Sequence, residues 1–244
     1  MRALQNAGWI AGWEMRRAWL SYPLSAALLS FFGVVGAHFA DEALAGPGGA
    51  GAAFRVFYLD FFFLAATSLL AGNFFSRDYA LSWGDTFSRR LAFLRRLPVS
   101  PGEIVAGRVL SMLAAAVINV PLFFLALYAL SGALGGLLEG TERVWFAGLW
   151  FGAALAWGGL YLYLETGTSG RVYNLLMFPL IALFAALAGV AQGVFGLRVV
   201  ELAAAAAREG GPLAAAGAVL LGAAVLAAMA RAAARRVGRR ELLA

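Results

Sequence analysis

Cysteine and lysine are both absent from this chain of 244 residues, and histidine occurs once, at His38. Without cysteine there is no thiol nucleophile, no disulfide, no thiolate zinc site and no haem attachment motif. All 19 basic residues are arginine, which excludes a phosphate loop ending in Gly-Lys-Ser/Thr and any Schiff-base lysine. The chain therefore carries no ATPase motif of its own. A single histidine cannot form a paired-histidine metal site within one chain. No metal ligand set, cofactor site or catalytic constellation is expected, and the chain does not read as an enzyme.

Charge is scarce as well. Only 13% of residues are charged and 62% are apolar, against about 25% and 45–50% in soluble domains. Mean hydropathy is +0.80. A hydrocarbon core of about 30 Å takes roughly 20 helical residues per crossing, and six apolar stretches of that order stand out, at about 19–40, 54–75, 104–130, 144–164, 173–197 and 212–230. Uninterrupted runs in lipid must be helices, because an exposed strand edge finds no partner there. The expected architecture is an all-α integral membrane protein, one transmembrane domain over 1–244.

Arginine placement sets the expected orientation. The N-terminus, the loop at 76–103, the loop between spans four and five, and the tail at 231–244, with Arg108 just inside the third span, together hold 15 arginines against six acids. The remaining loops, with Arg55 at the edge of the second span, hold four arginines against six acids, and Asp60 lies just inside the second span. Positive charge stays cytoplasmic, so both termini are expected inside a cell's inner (plasma) membrane. The net charge of +6 is thus a topology signal, not a nucleic-acid footprint. Arg235, Arg236, Arg239 and Arg240 are suited to anionic lipid. A cleavable leader is not expected at the first span, although Ala43-Leu44-Ala45 faintly resembles a cleavage site, since the segment before the apolar run is too long.

Two segments outside the lipid carry more detail. Residues 1–18 read as an interfacial helix with Leu4, Ala11 and Met15 on one side and Trp9 and Trp13 nearer Arg2, Arg16 and Arg17. In the loop at 76–103, Phe87, Leu91 and Leu94 recur at i, i+4 and i+7 while Arg89 and Arg96 point away, which predicts a short amphipathic helix stopped by Pro98. Ser100-Pro101-Gly102-Glu103 then reads as a capping box that opens the third span. A basic helix followed at once by a proline and a capped span is arranged to transmit force. Between the last two spans, Arg198–Gly211 predicts a short helix, and Gly210-Gly211-Pro212 a clean start for the sixth span.

The run from Arg89 through Leu97-Pro98-Val99-Ser100 to Glu103-Ile104 and Arg108 is similar to the start of the third span in permease subunits of type-2 ATP-binding-cassette (ABC) exporters. That family has six spans, both ends inside, an interfacial N-terminal helix and a coupling helix between spans two and three. The resemblance implies a separate ATPase chain that binds ATP and magnesium, and a second permease chain, identical or paralogous, completing the path. On that footing Phe87, Leu91 and Leu94 are expected to fill a groove of the ATPase, and Arg89, Arg90, Arg95 and Arg96 to meet its acids. Charge reversal at Arg95 and Arg96 is then expected to uncouple transport. The cargo is not identified, and an apolar interior suits lipids, hydrophobic drugs or peptides.

Polar residues inside the spans cost roughly 2.5–3.5 kcal/mol each when ionisable and need a reason. Asp60 and Asn119 are the candidates for a translocation path. The plainer reading puts Asp60 at the outer headgroups near Arg55, and lets Asn119 satisfy a carbonyl freed by Pro121. Gln192 and His38 read as interfacial. Gly148 with Gly152 and Gly189 with Gly193 are small pairs at helix-packing spacing. Gly167-Thr168-Ser169-Gly170 matches an intramembrane serine-protease pattern, but the only histidine sits near the opposite face, so a tight turn before a capped fifth span is expected instead. Asp78 and Asp85 alone do not make a metal site for a lipid-modifying enzyme. Alternatives of comparable size are a haem-export permease, the coupling subunit of a vitamin importer, and a membrane assembly or regulatory protein.

Overall fold

The computed structural model of the chain describes residues 2–46, 51–73, 79 and 81–240. Among the described residues ten α-helices run in the order α1 (Arg2–Arg17), α2 (Ser21–Leu44), α3 (Ala52–Ser68), α4 (Thr86–Leu94), α5 (Pro101–Leu130), α6 (Gly132–Leu137), α7 (Glu142–Gly167), α8 (Gly170–Phe195), α9 (Val199–Glu209) and α10 (Gly211–Arg239). A single 3₁₀ turn, Ser82–Gly84, precedes α4, and no strand occurs among the described residues. Five helices, α2, α5, α7, α8 and α10, are long and apolar enough to cross a membrane. The all-α class is plain, and these helices mark a multi-pass membrane protein.

The expected span at 54–75 differs. Helix α3 has 17 residues and stops at Ser68, after which the chain turns through 69–73. Positions 74 and 75, with which that expectation ended, lie outside the described residues, as does Asp78. The other five spans are longer than their apolar runs, α10 most of all, which continues to Arg239 past the expected stop at 230, and side-chain caps set the starts of α5 and α8. Ser100 accepts from the Glu103 N–H at 3.3 Å while Glu103 accepts from the Ser100 N–H at 2.6 Å, the full capping box, with Pro101 in the first turn of α5. Ser169 accepts from the Val172 N–H and starts α8, confirming the turn expected there. At its other end α8 closes on Gly196 at φ +64°, whose following residue Leu197 donates to the Ala191 carbonyl at 2.8 Å, the geometry of a left-handed glycine cap.

Contact surfaces are built from small residues. The most extensive helix pair is α7 against α10, where Gly152 faces the backbone of Ala218 and Val219, and Gly222 faces the backbone of Gly152. A side chain at either position would have nowhere to go, and a glycine lets the two axes approach. Gly148 adds to this seam through Ala215, whereas Gly193 has no atom within 4 Å of where a side chain would start. The first glycine pair read from the sequence is a packing seam and the second is not.

One bundle end gathers α1, α4, the α7–α8 turn and the C-terminal end of α10. Gly170 donates to Asp85, Asn174 to Ser82, and Arg240 to the Thr166 carbonyl and the Ser88 hydroxyl. The opposite end holds α6, α9 and the start of α7. There, acids from α2 and α3 cap the two short helices. Asp41 of α2 accepts from the Ser131 hydroxyl and the Ala133 N–H at the start of α6, and Asp60 of α3 accepts from the Val199 and Val200 N–H groups at the start of α9, each at 2.9 Å.

Replacing Gly222 by leucine wedges α7 from α10 and is expected to cost about 1–3 kcal/mol. The same change at Gly217, which has no atom within 4 Å, is expected to be near neutral. Melting temperatures of the two variants in one mild detergent check the difference.

Candidate functional site

Four charged side chains meet beneath α4. Glu14 comes from α1, Arg90 from α4, Arg108 from α5 and Glu165 from the last turn of α7. Arg108 donates to Glu165 through Nη2 at 3.0 Å and Nε at 3.3 Å, and to Glu14 through Nη1 at 3.3 Å. Arg90 donates to the other oxygen of Glu165, and its Nε lies 4.0 Å from Glu14. The result is a closed ring in which each arginine touches both acids. Both carboxylates are buried, and the Arg90 side chain is only 9% exposed.

Further donors complete the shell. The Ser111 hydroxyl reaches Glu14 at 3.0 Å and the Tyr79 hydroxyl reaches Glu165 at 3.1 Å. Burial, with the Glu165 charge adding to it, pushes the Tyr79 phenol above its ordinary range, so it stays a neutral donor. Two arginines and two glutamates sum to zero, which is how four charges are tolerated here: each is paired and hydrogen-bonded, and removal of any one strands another. Beside the ring lies a cavity of about 30 Å³ walled by Tyr22, Asn73, Arg108, Ser111 and Glu165, a volume suited to one or two waters. No group of three metal-ligating side chains occurs among the described residues.

Local sequence explains how the ring is assembled. Helix α1 buries Ala7, Ile10, Ala11 and Glu14, spaced along one stripe. Ile10 and the Ala7 backbone press on Gly107, where a side chain would collide, so α1 sits close enough for Glu14 to reach Arg108 one residue further on. Leu4, expected on the apolar side of α1, is 78% exposed, outside the stripe that α1 buries within the chain. Helix α4 forms as expected at Thr86–Leu94, but its apolar face has a different cover. Phe87, Leu91 and Leu94, expected to fill a partner's groove, are buried within this chain. Phe87 packs edge-on against Tyr79 and Tyr173, and Leu91 and Leu94 join a core with Ile10, Ile104 and Val105. Arg90, expected to meet a partner's acid, is on Glu165.

What α4 leaves outward is a stripe of Arg89, Phe93 and Arg96 at i, i+4 and i+7, with Arg95 and Pro98 also exposed. Phe93 stacks on Trp13 of α1 at 5.8 Å, and the Arg17 guanidinium lies 5.3 Å from the Trp13 ring. Arg95 donates to the Arg240 carbonyl, so the end of α10 is held between α4 and α7. Arg236 donates to Tyr163. Two of the four tail arginines read as lipid contacts are thus bonded within the chain.

The two path candidates have structural partners. Asp60, fully buried, is the cap of α9 described above, with the carboxylate facing the positive end of a helix, and not the companion of Arg55. Asn119 donates to the Leu70 and Gly72 carbonyls at 3.1 and 3.0 Å. It therefore closes the unwound end of α3, not the carbonyl freed by Pro121. Its neighbour Asn73 accepts from Ser25 at 3.0 Å, so the turn after α3 is held from α2 and α5 together. His38 pairs with Glu42 on α2 at 3.4 Å, at the bundle end opposite Ser169, which leaves that serine without a base. Sequence reasoning passed over Glu14 and Glu165. The available signal was a matched set of ionisable residues, Glu14, Arg108 and Glu165, at the same end of three apolar helices.

Comparison with known proteins gives no match: no family model, no curated protein and no solved structure matches this chain.

Glu165→Gln leaves two guanidiniums facing one acid and is expected to cost about 3–5 kcal/mol. Adding Arg90→Met restores neutrality and recovers part of that loss, as thermal unfolding of the single and double variants in detergent would show. Asp85 supplies a pH test. Burial raises its carboxyl, but the Gly170 N–H and Ser88 outweigh this and hold it below the usual carboxylate range. Its contribution to stability is complete above about pH 4 and disappears as pH falls through the lower folded value. The melting-temperature gap between the native chain and Asp85→Ala is therefore expected to close on acidification below pH 4.

Proposed function

We propose that this chain is the membrane-spanning permease subunit of an ABC exporter, working with a second permease chain and driven by a separate ATPase. The observation that carries this reading is the construction of α4. A nine-residue basic helix has its inner face joined to three other helices through the Glu14–Arg108–Glu165–Arg90 ring. Its outer face stays available as Arg89, Phe93 and Arg96. A partner pushing on that outer stripe moves α1, α5 and α7 with it, because the ring cannot be pulled apart without stranding buried charge. That is what a coupling helix requires.

Several features support the rest of the reading. The 15 arginines of the basic segments favour the α1/α4 end as cytoplasmic, the side on which an ATPase would dock, and α1 suits the headgroup layer. Helix α3 with its following turn serves as the sixth crossing, and a bacterial inner membrane is the location that fits. The chain itself supplies no nucleotide motif, so hydrolysis belongs to the partner. Outward transport follows from the family resemblance and not from the geometry.

Because Arg95 is tied to the Arg240 carbonyl, the cleaner charge reversal is at Arg89 and Arg96. Arg89→Glu with Arg96→Glu is expected to leave insertion and melting temperature unchanged while abolishing the effect of this chain on its ATPase. Co-purification with the ATPase encoded beside it, and hydrolysis rates with native and reversed chains, check this. An ATPase that responds equally to both would overturn the coupling role.

A further inference from the structure

Helix α10 presents two opposed faces. Ala215, Gly222, Leu226, Ala233 and Val237, at spacings of seven and four, are buried. Opposite them Gly217, Leu220, Ala224, Ala228, Arg231 and Arg235, at spacings of three and four, are all exposed. The arginines near the end of the helix divide as well. Arg236 and Arg240 turn back to Tyr163 and the Thr166 carbonyl, whereas Arg231 and Arg235 make no hydrogen bond or ion pair among the described residues.

Depth makes that exposure unusual. Gly167, where α7 ends, lies against the Arg236 side chain, and Gly159 lies against Leu226 and Met229, so the two helices run antiparallel in a fixed register. Arg231 precedes Arg236 by five residues, which sets its backbone about 7–8 Å inside the level at which α7 ends. It therefore stands on the outward face of a helix apolar enough to cross a membrane, at the border of hydrocarbon and headgroups. A guanidinium there needs a counter-charge, and its long stem brings it back to headgroup level. Arg235 follows one turn later on the same stripe, so the two cations also repel one another.

The neighbouring surface says what meets them. Toward the middle of the span, Ala223, Ala224 and Ala228 offer nothing longer than a methyl group, so an acyl chain can lie close along the helix below the pair. A phosphate presents paired oxygens to the planar fork of a guanidinium. A zwitterionic lipid brings its own cation and leaves both positive charges uncompensated, whereas an anionic lipid offsets one. We propose that Arg231 and Arg235 bind the headgroup phosphate of an anionic phospholipid, with an acyl chain along Ala224 and Ala228. This requires only that the chain lies in a membrane and does not depend on the permease reading.

The test uses the full chain, without an ATPase, in phosphatidylcholine nanodiscs doped with phosphatidylglycerol that carries a photoreactive diazirine in its acyl chain. Phosphatidylcholine with the same tail is the comparison, and labelled peptides are read by mass spectrometry. Over residues 223–235, phosphatidylglycerol is expected to label about fivefold more than phosphatidylcholine. At Phe178 and Ile181 of α8, which also face outward, the two lipids are expected to label equally. Arg231→Gln with Arg235→Gln is expected to abolish the preference at an unchanged melting temperature, and Arg231→Lys with Arg235→Lys to keep most of it. No preference at α10, or one that survives the double glutamine variant, overturns the site. Displacement by soluble glycerophosphate would assign the pair to a free phosphate, and crosslinks between two α10 helices in place of lipid would assign it to a second copy; either overturns the lipid. A preference that emerges only with Glu241→Gln also overturns it, by assigning the pair to that acid, which lies outside the described residues.

Discussion

Everything at the basic end hangs on one buried ring of charge. Arg90 and Arg108 each touch Glu14 and Glu165, and the four side chains come from four different helices. In a low-dielectric interior such a ring holds its parts in register more than it adds stability, because the desolvation cost of four charges nearly offsets their attraction. Its value is stiffness. Helix α4, too short to be stable alone, gains a fixed position relative to α1, α5 and α7, and that fixity is what the proposed coupling role needs.

The remaining architecture follows two rules of apolar surroundings. Helices approach where small residues allow it, as at Gly152 and Gly222 between α7 and α10, or at Gly107 beneath Ile10. At several helix ends a side chain meets the freed backbone groups. Ser100, Ser131 and Ser169 do this within their own segments, and Asp41, Asp60 and Asn119 do it across the bundle. Polar residues inside apolar helices are here largely the mortar of helix ends. Asp60 and Asn119, conspicuous in the sequence as path candidates, are both part of this mortar.

Much of the fold was legible beforehand. Long apolar runs located four of the five long helices to within about four residues at either end, whereas α10 continues to Arg239, past the expected stop at 230; the Ser100–Glu103 box marked the start of α5, and the i, i+4, i+7 pattern marked α4. Less visible was the stop of α3 at Ser68, since Leu69, Leu70 and Ala71 continue the apolar run without a break. The stop depends on Asn119, some 47 residues on, taking the Gly72 carbonyl. Hydropathy has no term for such a partner.

By itself the sequence determined the class of protein, the order of its apolar helices, the end at which arginine collects and the chemistries it lacks. Those properties depend on composition and on spacing within a single segment. Tertiary structure alone decided which way α4 faces, because an amphipathic helix buries its apolar side against whatever cover is nearest. Here that cover is Ile104, Val105 and Tyr173 of the same chain, which turns Arg89, Phe93 and Arg96 outward. It also decided that Glu14 and Glu165 share two arginines, a pairing across 57 to 94 residues that arises only when four helix ends are packed into one place.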